Sequence, residues 1–338
     1  MKYVGVDLHK NQFTVCFRDE KGKEELREYS TEKEGIEKFK KRLDKRTKIA
    51  FETTGNSKYF YDQVAGSVKE AKIINTNKFK VISKSVKKTD KEDAKVIAEH
   101  LSKDMLPEVR VPNKEQRELN SLIQTRDQLV KTRSRLKNKI HGILMENGLK
   151  SEREMFSSDK ALQRVLASDL SETNRFELEI IVEQIRSISE SIKKIDEKIK
   201  DKGKGLKGQK NLQSITGIGE LSSTIIINKI GDIKDFSDSK KLVSYIGFAP
   251  SVRDSDKTIR HGHITKRGDK ILRTTIVQVT LIAIRYNQYL RSFYLKLKKA
   301  KGSGKAIIAT SRKMVDIIYR TLRYNLVFED FNNGVLVS

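Results

Sequence analysis

Apolar residues recur with two periods along this chain, and the switch between them marks its parts. Lys2–Leu8 reads as a buried strand, Gln12–Arg18 alternates apolar and polar residues as a second, and Glu24–Tyr29 is a weaker third. Thr31 can cap a helix over Glu32–Leu43 whose apolar stripe is Ile36, Phe39 and Leu43. Lys48–Glu52 is a short strand ending on a carboxylate, Ser57–Val68 is helical, and Ala71–Asn75 is a fifth strand. Thr89 or Asp90 caps a helix that runs on through Ala94, Val96, Ile97, Ala98 and Leu101.

Beyond this point the helical period takes over. A long helix spans Asn113 to about Asn147, with Leu119, Leu122, Ile123, Leu129, Val130, Leu136, Ile140 and Leu144 on its apolar side. From Gln128 to His141 it has no acidic residue but carries Lys131, Arg133, Arg135, Lys137 and Lys139, so one face packs and the other meets phosphates or simply solvent. In the next helix Leu178, Ile181, Ile185, Ile188, Ile192, Ile195 and Ile199 form an unbroken seam of alternating threes and fours. An antiparallel hairpin with the preceding helix satisfies that seam, and so does a coiled coil between subunits. Isoleucine at both seam positions favours an arm that meets another protomer. Asp201–Lys210 is a glycine- and lysine-rich linker. Gly217 and Gly219 flank Ile218 in a turn between two helices, like a helix–hairpin–helix element that offers backbone amides to phosphate. Another helix starts near Ser239, Ser251–Gly268 is a polar, basic loop, and three helices follow over 269–286, 288–300 and 305–324 before an irregular tail. Lys301–Lys305 lacks the spacing and preceding strand of a nucleotide-binding loop.

Charge changes the picture. The 338 residues carry a formal +25, with 70 Lys and Arg against 45 Asp and Glu. Self-repulsion on that scale points to a polyanionic partner: nucleic acid first, an anionic membrane surface second. No apolar run approaches the roughly 18 residues of a spanning helix, and no signal peptide is visible. The single cysteine, Cys16, excludes a disulfide within the chain and fits a reducing cytoplasm.

The chemistry-bearing residues are acidic. Asp90 and Asp93 lie three apart and share a helix face, in a stretch crowded by Lys78, Lys80, Lys84, Lys87, Lys88 and Lys91. The order three strands, helix, strand, helix, strand, helix is that of ribonuclease-H-like nucleases. In that order the first and fourth strands are neighbours, which brings Asp7 and Glu52 together with the last helix. Four carboxylates there can hold two Mg²⁺ or Mn²⁺ ions for phosphodiester chemistry. The competing reading of each residue is a turn aspartate, a surface glutamate and a solvated helix start.

Gly5-Val6-Asp7, Phe51-Glu52-Thr53-Thr54-Gly55 and Lys88-Thr89-Asp90-Lys91-Glu92-Asp93-Ala94 resemble the signature of the DEDD insertion-sequence transposases, relatives of the Piv DNA invertases. The resemblance covers about residues 2–104 and 208–300. It implies an α/β plus α architecture: a RuvC-like catalytic domain (1–110), a helical coiled-coil region (111–202), a mainly helical transposase domain (203–326) and a tail (327–338). It implies Mg²⁺ at Asp7, Glu52, Asp90 and Asp93, and one active site shared between two domains. The pattern Tyr245-Ile246-Gly247 through Ile264-Thr265-Lys266-Arg267-Gly268 is also similar, and by it Ser255 takes the place of the family's nucleophilic serine. Asp256 departs from the glycine usual there, and Ser251 and Thr258 are the alternatives. Arg253, Lys257, Arg260, Lys266 and Arg267 can neutralise phosphate around such a hydroxyl, which needs a base or metal to act. His261 and His263 are proton shuttles or phosphate- and solvent-facing residues.

The resemblance further implies DNA as substrate, a bridge RNA as guide, a homodimer or homotetramer, and a cytoplasmic, nucleoid-associated location. Two other functions fit the residues. A junction-resolving endonuclease would use water in place of the serine. A non-enzymatic nucleic-acid-binding protein would gain nothing from the acids, which cost affinity for phosphates unless they hold metal.

Overall fold

The computed structural model describes residues 1–75, 79, 89–150, 156, 158–255, 258–330 and 335–337, with 252–255, 258–261, 329–330 and 335–337 described by backbone alone. The chain forms two compact units, Met1–Pro112 and Asn113–Ser338.

The first unit is a mixed sheet with helices on both faces. Its elements are β1 (Lys2–Leu8), β2 (Gln12–Asp19), β3 (Glu24–Ser30), α1 (Lys33–Lys40), β4 (Thr47–Glu52), α2 (Ser57–Val64), β5 (Glu70–Ile74), α3 (Asp90–Ser102) and β6 (Glu108–Val109). The sheet order is β3-β2-β1-β4-β5-β6. β1 runs antiparallel to β2 and parallel to β4, and β4 runs parallel to β5. Strand side chains alternate between faces. Val4, Val6, Leu8, Ile49 and Phe51 face α1 and α2, where Phe13, Phe39 and Phe60 pack with ring centroids 5.0–6.0 Å apart. Such aromatic pairs add roughly 0.5–1.5 kcal/mol each beyond burial. The other face carries Tyr3, Gly5, Asp7, Ala50 and Glu52. Here α3 lies on the sheet through Ala94, Ile97, Ala98 and Leu101. Gly5 permits the approach: a Cβ there would sit 2.2 Å from the Ala94 carbonyl oxygen.

The second unit is mostly helical. α4 (Lys114–Glu146) and α6 (Glu172–Gly203) form a long antiparallel hairpin, with α5 (Asp159–Leu166) at one end. The α6 seam faces α4 within the same chain: Leu178, Ile181 and Ile185 meet Ile140, Ile143 and Leu144, and Ile199 meets Leu119 and Ile123. The hairpin thus accounts for the seam that the sequence left open between two arrangements. Then come α7 (Gln209–Gln213), α8 (Glu220–Ile230), α9 (Ser239–Ile246), β7 (Pro250–Ser255), β8 (Thr258–Ile264), α10 (Lys270–Tyr286), α11 (Gln288–Lys301), α12 (Ser303–Tyr324), β9 (Val327–Asp330) and β10 (Val335–Val337). Leu212, Ile226, Leu242, Phe248, Ile276, Met314 and Ile318 are among the core of this part. Two stretches expected to be irregular are strands. β7 pairs antiparallel with β8, and β9 with β10.

Candidate active site

The C-terminal ends of β1 and β4 are adjacent, with Gly5 opposite Ala50 and Val6 opposite Phe51. One step further along each strand stand Asp7 and Glu52, on the face covered by α3. The backbone just past Glu52 is pinned: the Thr53 hydroxyl donates to the Ile74 carbonyl at 2.8 Å, and the Asn56 amide to the His9 carbonyl at 3.0 Å. Thr89 caps α3, its hydroxyl accepting from the Glu92 amide at 3.3 Å. That places Asp90 in the first helical turn and Asp93 beneath it, the latter buried at 9 % exposure. The sheet edge and the helix start therefore bring the predicted carboxylates to one end of the domain.

Their electrostatics are those of crowded like charges. The Asp7 carboxyl is held above its ordinary value by burial and by the neighbouring charges of Asp90 and Asp93, against the pull of His9. His9 Nε2 lies 3.1 Å from Asp7 Oδ2 and 3.4 Å from Asp90 Oδ1. Burial works to lower the His9 value, but the two carboxylates outweigh it and hold the imidazole above its ordinary pKa. Asp7, His9 and Asp90 each offer a ligand atom, all within 4.8 Å of one another. Opposite oxygens around a cation with bonds of about 2.1 Å are roughly 4.2 Å apart, so this donor set suits a divalent ion with little adjustment. Sequence reasoning missed His9. It stands two residues past Asp7 in the turn to β2, and only the fold carries it to Asp90.

The other predicted residues divide. On α4, Lys131 pairs with Asp127, Lys139 with Glu177 at 3.1 Å, and Lys137 donates to the Phe156 carbonyl at 2.5 Å. Arg133 donates to Ser189 Oγ at 3.3 Å, and Arg135 is exposed. Burial, then the Arg133 charge, lowers the Lys137 pKa. Much of this basic stripe is engaged within the hairpin. Gly217 has φ +96°, and a Cβ there would sit 2.6 Å from the Val279 carbonyl oxygen, so packing on α10 calls for glycine. Gly219 opens α8, and its amide donates to Ser222 Oγ at 2.9 Å.

Ser255 ends β7 opposite Thr258, and Arg253 lies opposite Arg260 in the same hairpin. Asp256 and Lys257 lie outside the described residues, as do Lys78, Lys80, Lys84, Lys87 and Lys88. Ser251 donates across the hairpin to the His263 carbonyl at 3.2 Å. Lys266 and Arg267 are exposed where the strand returns to the helices. That return is fixed by Gly268, whose Cβ would meet the Tyr245 carbonyl oxygen at 2.3 Å, and by Arg273, which donates to the Ile246 carbonyl at 2.9 Å. Beneath it the Lys229 ammonium meets Asp269 at 2.8 Å, and Asp269 also caps α10.

Known proteins share these parts. A family model described as a transposase matches residues 4–147, and one described as the transposase IS116/IS110/IS902 family matches 209–295. The transposase for insertion sequence element IS1111A of Coxiella burnetii is 29 % identical over 95 % of this chain and 90 % of that protein. A putative transposase of Sinorhizobium fredii is 26 % identical over 81 % of this chain and 70 % of its own length. The pilin gene-inverting protein of Moraxella bovis is 31 % identical over 35 % of this chain and 38 % of its own. With the carboxylate-bearing domain and the C-terminal unit each matched in turn, the chain belongs to the IS116/IS110/IS902 family of transposases.

Proposed function

We propose that this transposase cuts and rejoins DNA with a RuvC-like, metal-binding carboxylate set in its first unit and a serine nucleophile in its second. The observation that carries the reading is the convergence of Asp7 with Asp90 and Asp93, whose charges add to burial in holding the Asp7 carboxyl above its ordinary value. Asp7, Glu52, Asp90 and Asp93 would hold Mg²⁺ or Mn²⁺, with His9 beside them. A bound divalent ion supplies charge neutralisation at a phosphate and acidifies an attacking hydroxyl. Ser255 is the nucleophile. Its Oγ bonds to phosphorus as the bond to one deoxyribose oxygen breaks, leaving the strand end esterified to the protein. Attack by a deoxyribose hydroxyl of another strand reverses the step and completes the exchange. Arg253, Arg260, Lys266 and Arg267 on and beside the β7–β8 hairpin, with Lys257, stabilise the added negative charge.

The reading keeps a helical region (111–202), a serine-bearing part (203–326) and a tail (327–338) beyond the carboxylate-bearing domain. It includes a guide RNA and a homodimeric or homotetrameric working form, both carried by the family resemblance. The +25 charge serves RNA as well as DNA. Among the described residues no helix is long and apolar enough to cross a membrane, and DNA as substrate puts the protein at the nucleoid.

A covalent-trap assay tests the proposal. Full-length protein, with co-purifying nucleic acid retained, meets Mg²⁺ and labelled DNA spanning an element end and its flank. A protease-sensitive protein–DNA adduct is expected from wild type and from neither Ser255→Ala nor Asp90→Ala. Cleavage by Ser255→Ala without an adduct would replace the serine with water and make the protein a junction-resolving endonuclease.

A further inference from the structure

One side chain at the carboxylate site differs in kind from the rest. His9 Nε2 lies 3.1 Å from Asp7 Oδ2 and 3.4 Å from Asp90 Oδ1. The two carboxylates come from different elements, the end of β1 and the first turn of α3. An ion pair needs one partner, whereas a ring nitrogen between two converging carboxylates stands where a third donor to a shared cation belongs. The spacing agrees. Two donors each about 2.1 Å from a cation are roughly 3.0 Å apart at a right angle and about 4.2 Å apart when opposite. Both separations from Nε2 fall in that range.

The backbone of His9 is held on both sides. Its amide donates to the Gln12 carbonyl at 3.0 Å, closing the turn into β2, and its carbonyl accepts from the Asn56 side-chain amide at 3.0 Å. The Thr54 hydroxyl orients Asn56 in turn, donating to Asn56 Oδ1 at 2.9 Å. Thr54 and Asn56 follow Glu52 in the chain, so the segment leaving one acidic strand fixes the residue that leaves the other. The His9 side chain is 49 % exposed, and core packing therefore does not account for its aim. A ring anchored through its backbone and directed at two carboxylates is pre-organised as a ligand.

An imidazole among the donors changes which ion the site takes. Mg²⁺ takes oxygen ligands and gives up its waters reluctantly. First-row transition dications accept neutral imidazole, with affinity rising from Mn²⁺ towards Co²⁺. We propose that His9 is a direct metal ligand and that it makes the site favour a first-row transition dication, Mn²⁺ in the test below, over Mg²⁺. The proposal rests on the metal-binding reading of Asp7 and Asp90 and adds to it the ligand that discriminates between ions.

The test is Mn²⁺ binding to full-length protein stripped with EDTA and exchanged into metal-free buffer. Pulsed electron paramagnetic resonance with less than one equivalent of Mn²⁺ detects a nitrogen bonded to the ion by its ¹⁴N modulation, with no DNA or activity involved. Wild type should show this modulation, and His9→Asn should lose it. Wild type grown on ¹⁵N-histidine should lose it too, which assigns the nitrogen to an imidazole without any substitution. Displacement of bound Mn²⁺ by Mg²⁺ gives the preference between the ions, and it should fall about tenfold from wild type to His9→Asn, the scale of one lost metal contact. Asp7→Asn keeps the two readings apart, since it should abolish the Mn²⁺ binding of wild type. If it does so while His9→Asn keeps the modulation, the carboxylate site stands, His9 is only a salt-bridge partner, and the proposal is overturned. Loss of the modulation with the preference unchanged would make His9 a ligand that does not discriminate, and overturns it as well. Absence of Mn²⁺ binding in wild type, or binding untouched by Asp7→Asn, would remove the carboxylate reading and the proposal together.

Discussion

Asp7 and Asp269 are the same residue type, each half-buried and each touching a cationic or titratable partner, yet their environments act in opposite directions. At Asp7, burial and the charges of Asp90 and Asp93 push the carboxyl up, and His9 only partly compensates. At Asp269, burial also pushes up, but the Lys229 ammonium and the Leu272 amide outweigh it and hold the carboxyl below its ordinary value. One site gathers like charges that His9 offsets only in part. The other neutralises a charge completely in order to join α8 to the start of α10. Folding selects the second arrangement for itself. The first lowers stability, and a protein keeps such a site when a ligand or a reaction repays it.

The largest effect should come from removing charge at the first site. Asp90→Asn keeps the shape of the α3 start and should lower strand cleavage about a thousandfold, the scale of losing several kcal/mol of charge stabilisation in a metal site. The same substitution should remove any rise in melting temperature that Mg²⁺ gives wild type, because stabilisation by a ligand requires its site. A Mg²⁺-dependent rise that persists in both Asp90→Asn and Asp7→Asn would locate the ion elsewhere.

At the second site the effect should fall on stability. Asp269→Asn keeps the helix cap but strands Lys229, whose side chain is 6 % exposed, and should cost about 3 kcal/mol in urea unfolding. Lys229→Met leaves Asp269 instead, and that side chain, 31 % exposed, still reaches water, so the loss should be smaller. Equal costs for the two variants would contradict the asymmetry in burial.

Gly5→Ala tests position without touching charge. The added methyl would overlap the Ala94 carbonyl oxygen, so α3 must move off the sheet, at roughly 1–3 kcal/mol of overpacking. Every carboxylate remains, yet cleavage should fall about a hundredfold through misplacement alone. Conversely, Asp7→Asn should raise the melting temperature of the protein in EDTA by a few degrees, the scale of ~1 kcal/mol, by relieving the repulsion at the site. A lower melting temperature for Asp7→Asn would mean that His9 and Asp7 form a structural pair after all.

The first side of this contrast could be read in the sequence, and the reason is local; the Lys229–Asp269 pair could not. The strands β1 to β5 and the helix α3 announce themselves by period, and Asp7, Glu52, Asp90 and Asp93 stand at their ends. Contacts made across long separations could not be read. Nothing in the order of residues pairs Lys139 with Glu177, Lys137 with Phe156, or His9 with Asp90. The β7–β8 hairpin was also hidden. Its strands are mostly polar, and the Asp-Ser-Asp-Lys connection lacks the glycine that signals a tight turn. The seam of α6 was legible as a seam, but periodicity states only that a partner exists, and the partner proved to be α4 of the same chain.

The smallest effect separates the two aspartates by pH. A carboxyl lowered on folding contributes stability that is fully present above its unfolded value, near 3.8, and is lost as pH falls through the lower folded value. The difference in stability between wild type and Asp269→Asn should therefore stay constant from pH 7 down to about pH 5 and shrink only below about pH 4. Urea unfolding of the two proteins across pH 3–7 measures it. A difference that already narrows between pH 7 and pH 5 would mean that Asp269 titrates in that range. The neutralised pair would then not be what fixes α10, and the opposition between the two sites would collapse into one class of crowded carboxylates.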